Sequence, residues 1–386
     1  EFSDLMWEMQ GELGTSHAYE MGGDYPHRRR YSLGYLGADI DPLEDPEHGR
    51  EWEISRIVRG DSWSDDASPL QQAGVDAREG DRIVAVNGRS LQDSDTGLEE
   101  LLLNRAGSEV QLTLRRPDAT DGADGAETAD GTDGPGVAGA AIDAGATGST
   151  GLHHVTVKTI SSEFPARYRE WVERNRQAVH DATKGRVGYV HVPNMGPVGY
   201  AEFHRSFLAE VDRAGLIIDV RFNGGGHVSP LLLEKLARRR LGWVQTRNFG
   251  AKPWPADAPA RPMVALTNEW AGSDGDIFSH AFKLLKLGPL VGTRTWGGVI
   301  GIWLRARLAD RTVTSQPEFS HWFEDVGWNV ENYGTDPDIT VEMAPQDYAA
   351  GRDVQLERSS PEALKLVKRA RVKRPRAHDR PSRRTP

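Results

Sequence analysis

Between Gly188 and Leu285 the chain alternates short apolar runs with stretches of helical periodicity. Gly188–Val192, Leu216–Arg221 and Val264–Thr267 read as strands, and Tyr200–Ala214, Pro230–Arg240 and Ile277–Leu285 as helices. The strand runs are nearly continuous in Val, Ile and Leu, which suits strands buried on both faces. Helices placed between such strands act as crossovers, so the fold class is α/β: a mostly parallel sheet with flanking helices. In these sheets functional groups collect where strands end and helices begin.

Two such ends stand out. After Met263-Val264-Ala265-Leu266 comes Asn268-Glu269-Trp270-Ala271-Gly272-Ser273-Asp274-Gly275-Asp276, a serine among glycines at a strand-to-helix turn. A nucleophile there stands clear of its own backbone, and the free N–H groups of the helix start face a developing negative charge. Ser and Asp are also ordinary helix caps, so the motif alone is weak. The second end is Asp219-Val220-Arg221-Phe222-Asn223-Gly224-Gly225-Gly226. Three glycines after a strand either present N–H groups to a substrate or serve a loop that needs positive φ. Neither phosphate-binding glycine spacing is present.

At 386 residues the chain has room for two or three domains. Residues 1–30 read as an N-terminal segment and 31–162 as a β-rich domain of short strands, among them Tyr31–Leu36, Trp52–Val58, Arg82–Val86 and Val110–Leu114. Residues 163–360 form the α/β region, opened by an amphipathic helix over Ala166–Ala182. Asn87-Gly88 is a tight-turn signal. An acidic low-complexity insertion over 117–150 falls inside a hairpin between Leu114 and Val155, and residues 361–386 read as a basic disordered tail. There are no cysteines, which excludes disulfides, thiolate nucleophiles and Cys-ligated zinc. The net charge of −10 argues against nucleic acid as a partner. No apolar run is long enough to span a bilayer, and the acidic opening Glu1-Phe2-Ser3-Asp4 is no secretory signal. Together these suit a cytoplasmic location and call for no metal or cofactor. The chain does not begin with Met, as a piece of a longer protein would not.

Ala73-Gly74-Val75-Asp76-Ala77-Arg78-Glu79-Gly80-Asp81-Arg82-Ile83-Val84-Ala85-Val86-Asn87-Gly88 resembles the core of a PDZ domain. PDZ domains bind peptide C-termini by adding a strand to a sheet edge. Gly34-Tyr35-Leu36-Gly37 does not clearly match their carboxylate-binding loop, so a spacer that has lost peptide binding stands equally beside the functional reading.

A second resemblance covers residues 1 to about 360. Gly11–Tyr19, Phe222–Gly226, Asn268–Asp276, Gly292-Thr293-Arg294-Thr295-Trp296-Gly297-Gly298 and Val330–Asp338 together resemble the C-terminal half of the tricorn protease family, in order. The resemblance implies a catalytic domain of the crotonase and ClpP type that hydrolyses short peptides through an acyl-enzyme. It makes Ser273 the nucleophile, His17 the general base, Ser16 the group orienting His17, and Glu331 the support for Ser16. Backbone N–H groups of Asp274 and of the triple-glycine loop, Gly226 or Gly225, would form the oxyanion hole. A homo-oligomer, in that family a hexamer, and peptide substrates are implied with them.

Two departures matter. The acid tied in that family to basic P1 side chains aligns with Val244, so an apolar or mixed P1 preference is expected. The resemblance implies β-propeller domains that gate the substrate; they are not among these 386 residues, which read as either a fragment or one piece of the enzyme. Two other readings remain. A C-terminal processing peptidase would place a lysine base after a Gly-rich motif, where this chain has Gly298. A non-catalytic peptide-binding scaffold would have kept the sheet and lost the chemistry.

Overall fold

The computed structural model describes residues 1–25, 30–61, 63–92, 96–117, 151–260, 262–370, 375 and 376. The acidic block from Asp118 to residue 150 and most of the tail beyond Ala370 lie outside them. The described chain divides into two compact units, residues 28–173 and residues 1–27 with 174–386.

The first unit is an antiparallel sheet in which strands Ala38–Asp45, Gly49–Ile57, Arg82–Val86, Glu109–Arg115 and Leu152–Lys158 lie side by side in that order. Arg89–Ser90 pairs with Arg82–Val86 through the Asn87-Gly88 turn, whose two residues have φ of 50° and 75°. Those positive values match the turn type that suits the right-handed twist of a hairpin. Leu112 faces Val155 across the hairpin that flanks the acidic block. Trp52, Ile54, Ile83, Val86, Leu112 and Leu114 form the core with the short helix Leu98–Leu102.

The expected strand Tyr31–Leu36 is not one: only Leu33 and Tyr35 make isolated bridges. The strand Ala38–Asp45 takes the edge instead. Its sequence, with four acids and Pro42, hides it from a search for apolar alternation, yet an edge strand tolerates both charge and proline.

The second unit holds a five-stranded parallel sheet in the order Ile339–Thr340, Leu290–Gly292, Met263–Thr267, Gly215–Asp219 and Val187–His191. Every residue of the three central-to-edge strands Met263–Thr267, Gly215–Asp219 and Val187–His191 is buried, as two covered faces require. Val190, Ile218 and Ala265 pack against Phe203 and Phe207 of helix Pro197–Glu210, Leu232 and Leu236 of helix Ser229–Ala237, and Phe278 and Phe282 of helix Asp274–Leu284. Gly215 backs the opposite face, where a Cβ would lie 2.7 Å from Val367 of helix Val354–Arg369.

That last helix corrects the reading of the tail. Residues 361–369 belong to it, with Ala363 and Val367 buried and the Asp353 carboxylate capping its start through Leu356 N at 2.9 Å. Its Lys and Arg residues gave the stretch a solvated look, but they sit on one face of an amphipathic helix.

The N-terminal segment joins the second unit. Helix Phe2–Gly11 leads to the short strand Glu20–Met21, which pairs antiparallel with Val313–Thr314. The intervening residues 12–19 are thereby laid across segments more than 290 positions away, with Ser315 Oγ donating to the His17 carbonyl at 2.6 Å and Asn332 Nδ2 to the Gly14 carbonyl at 2.7 Å.

Candidate active site

Both strand ends singled out in the sequence lie at the C-terminal edge of the parallel sheet, on neighbouring strands. Ser273 caps helix Asp274–Leu284 with φ 54° and ψ −119°, a conformation outside the regions that suit a side chain. Such strain costs on the order of 1–3 kcal/mol and persists only where the surroundings enforce it. Here they do. Gly272 N donates to the Asn223 carbonyl at 3.0 Å, and Gly275 N to the Gly272 carbonyl at 2.8 Å. A Cβ on Gly225 would stand 2.5 Å from Ser273 Cβ, so only glycine lets the loop approach this closely.

Asn223 organises the triple-glycine loop. Fully buried, it donates from Nδ2 to the Val192 carbonyl at 2.7 Å and accepts the Gly225 N–H at 2.9 Å. The strand below is anchored by a buried ion pair, Arg221 Nη2 to Asp219 Oδ2 at 2.7 Å, extended to Asp353 at 2.8 Å. These contacts sort the oxyanion candidates. The N–H groups of Asp274 and Gly226 donate to no acceptor among the described hydrogen bonds, and that of Gly225 donates to Asn223 Oδ1. Gly225 thus packs against Ser273 with its N–H already donated to Asn223. Gly226, with φ 146°, admits no Cβ either, since one would fall 2.0 Å from the Met195 carbonyl. The Asp274 side chain turns away and accepts both Ser229 N, at 3.0 Å, and the Ser229 hydroxyl.

Ser16, His17 and Glu331 meet. Ser16 Oγ lies 2.9 Å from His17 Nδ1 and donates to Glu331 Oε2 at 3.1 Å. The same carboxylate accepts Ser16 N at 2.7 Å, Val299 N at 2.6 Å and Ile300 N at 3.0 Å. A hydroxyl has one proton. With that proton donated to Glu331 Oε2, Ser16 Oγ accepts from His17 Nδ1–H, which leaves the lone pair on Nε2, the nitrogen a base needs. Burial lowers the His17 pKa, and the Glu331 charge opposes that effect without cancelling it. The imidazole is thus neutral at neutral pH. Trp296 meets its ring edge-on at 5.4 Å.

His17 and Ser273 line one cleft of about 720 Å³ with Tyr19, Asn223, Gly224, Glu269, Trp270, Gly272 and Trp296. Among the described residues no hydrogen bond joins the imidazole to the Ser273 hydroxyl, and such bonds often tighten only with substrate in place. No lysine lines the cleft. Lys283 donates to the Asp336 carbonyl at 2.6 Å and pairs with Asp338 at 3.3 Å. Val244 is half exposed on the hairpin Gly242–Gln245/Ala251–Trp254 and is not among the residues lining this cleft.

Four contributors escaped the sequence reading. Asn223 and Trp296 lay inside quoted motifs without a role, and only their contacts reveal one. Glu269, the acid of the cleft, accepts the Thr293 hydroxyl at 2.7 Å. Asp276, fully buried in the first helical turn, accepts Gly297 N at 2.8 Å. Burial pushes its pKa up to about 6, against hydrogen bonds from Thr295 and from the N–H groups of Gly297, Gly298 and Ser273. Its Oδ2 has no partner at full hydrogen-bond geometry, so burial prevails.

Residues 186–341 match the model of peptidase family S41, and residues 34–124 that of the tricorn protease PDZ domain. The chain is 43% identical to tricorn protease homolog 1 of Streptomyces coelicolor over 375 residues, covering 96% of this chain and 32% of that protein. It is 44% identical to a putative tricorn-like protease C-terminal subunit of Sulfurisphaera tokodaii, covering 95% and 38%. A crystal structure of the tricorn protease superposes with a TM-score of 0.80 at 37% identity, over 94% of this chain and 32% of that one. The chain thus spans about a third of the length of these relatives. With a strained serine at the strand-to-helix turn, the hydrogen-bonded Glu331, Ser16 and His17 of which the histidine lines the same cleft, and these relatives over most of its length, the chain belongs to the tricorn protease family.

Proposed function

We propose that the chain is a serine peptidase that cleaves short peptides through an acyl-enzyme on Ser273. The observation that carries this reading is the relay Glu331–Ser16–His17 opening on the cleft that also holds the strained Ser273. Ser273 Oγ attacks the scissile carbonyl carbon as its proton passes to His17 Nε2. The N–H groups of Asp274 and Gly226 take the oxyanion, and the first-turn position of Asp274 adds the partial positive charge of the helix start. Collapse breaks the C–N bond, and His17 returns the proton to the leaving amine. A water, deprotonated by His17, then attacks the ester and frees Ser273. Ser16 holds the imidazole tautomer throughout, and Glu331 stabilises the imidazolium at one remove.

The P1 preference we propose is apolar or mixed, on the alignment of Val244 alone, since the cleft itself holds Glu269 and not Val244; the assembly we propose is a homo-oligomer, in the family's manner a hexamer. No helix among the described residues is long and apolar enough to cross a membrane, and a cytoplasmic location is proposed with the rest.

A fluorophosphonate probe tests the chemistry. The parent chain should label at Ser273, and Ser273→Ala and His17→Ala should not. A folded parent that stays unlabelled overturns the reading in favour of a binding scaffold. Fluorogenic peptides differing only at P1 test the pocket: a marked Arg or Lys preference would shift specificity from Val244 to Glu269.

A further inference from the structure

The segment Gly34-Tyr35-Leu36-Gly37 runs directly into the edge strand Ala38–Asp45. In a PDZ unit that is where a peptide adds as an extra strand and the loop before it receives the terminal carboxylate on its backbone N–H groups. In this chain the place is taken. Glu163 Oε1 accepts Gly37 N at 2.8 Å and Ala38 N at 3.3 Å. Its other oxygen pairs with Arg167 at 2.6 Å. Arg167 in turn donates from Nη2 to the Ala38 carbonyl at 3.2 Å and pairs with Asp39 Oδ1 at 2.7 Å. One turn of helix Phe164–Thr183 and the residue before it thus offer the loop a carboxylate, and the strand edge a donor.

We propose that the peptide-binding edge of this PDZ unit is self-occupied, with Glu163 standing where a ligand's C-terminal carboxylate would bind. Both ingredients of such a site are present. Gly37 has φ 69° and admits no side chain, since a Cβ would fall 2.7 Å from Ser68. The two N–H groups converge on one anionic oxygen, the geometry of a carboxylate cradle. Two other N–H groups of the loop are engaged within the unit: Gly34 N donates to the Leu102 carbonyl at 2.9 Å and Tyr35 N to the Ile160 carbonyl at 2.8 Å. An internal ligand competes at an effective concentration of about millimolar, so a peptide carboxylate of ordinary PDZ affinity is held off rather than admitted. Displacement remains available to a peptide that binds tightly enough. It would free Glu163 and the first-turn Arg167 from the loop and the strand edge.

Amide resonances of Gly37 and Ala38, followed by nitrogen-resolved NMR, read the site without reference to peptidase activity. The probes are N-acetylvaline and its C-terminal amide. In the parent chain neither probe should move the two resonances. In Glu163→Ala the free carboxylate should move both, saturably, and the amide should not. Glu163→Asp, one methylene shorter, should lie between. Arg167→Ala, which leaves Glu163 in place, should weaken the plug and admit the probe only partly. Binding to the parent as strong as to Glu163→Ala would overturn the proposal, and so would an opened cradle in Glu163→Ala that takes up no carboxylate. Should Glu163→Ala fail to fold, Glu163→Gln decides by the same two resonances, because it keeps the packing and removes the charge.

Discussion

Glu331→Gln probes the relay at its far end. The carboxylate accepts four donors at 2.6–3.1 Å, three of them on Oε2. A glutamine in the same place can turn its carbonyl to those three, but its amide then meets Ser16 N, donor against donor. The bond from Ser16 Oγ survives as a neutral one. A hydrogen bond to a charged group contributes about 1.5–3 kcal/mol, and losing that charge as the imidazolium forms removes about that much from the transition state. At about 1.4 kcal/mol per decade, the labelling rate of Ser273 should fall about 10- to 140-fold. The direct carboxylate of a Ser-His-Asp triad gives a ceiling of about 10⁴ for its amide variant, and the intervening hydroxyl keeps the effect here below it. The pH profile separates electrostatics from damage. Glu331 raises the His17 pKa against burial, so its neutral variant should move the acid limb to lower pH. Probe-labelling rates across pH 4–8, with melting temperatures to confirm folding, are the assay. A rate within about threefold of the parent and an unmoved acid limb would refute the relay.

Gly225→Ala places a methyl 2.5 Å from Ser273 Cβ at a φ of 79°. It should cost about 1–3 kcal/mol of stability and at least tenfold in labelling rate, checked by denaturant unfolding and by probe kinetics. An Ala variant that labels normally would show that the loop does not brace the nucleophile. For Asp276 the folded pKa, about 6, lies above the usual 3.8. The folded state therefore holds this proton more tightly, and the resulting stabilisation, complete below about pH 4, is lost as pH rises through about 6. At 1.36 kcal/mol per unit the effect approaches ~3 kcal/mol. Asp276→Asn should accordingly gain stability relative to the parent between pH 4 and 7, measured by urea titration. A difference that stays flat over that range would mean the carboxyl ionises as freely as in water.

The parallel sheet was legible because its strands announce burial twice over. Val187–His191, Gly215–Asp219 and Met263–Thr267 carry apolar residues at nearly every position, which two covered faces demand and a half-exposed strand would not. The edge strand Ala38–Asp45 and the helix through Arg369 were not legible, since one carries charge and proline and the other hides its apolar stripe among cations. Nor did composition or spacing connect Ser16 and His17 to Glu331. That link came from resemblance, and the three-dimensional structure gives its physical basis: a two-residue strand, Glu20–Met21, pairs with Val313–Thr314, and the segment before it lays Ser16 on the Glu331 carboxylate.

By itself the sequence determined where chemistry could stand, because a strand followed by glycines and a capping serine has few ways to turn into a helix. Only the tertiary structure decided which N–H groups of the glycine loop are engaged. Gly225 and Gly226 are indistinguishable as letters, and the Asn223 side chain, arriving from within the same loop, engages one N–H and leaves the other. The same holds for the PDZ edge, where a glutamate 126 positions from Gly37 fills the loop. Hydrogen-bond partners are assigned by folded proximity, and the order of residues along a chain does not record it.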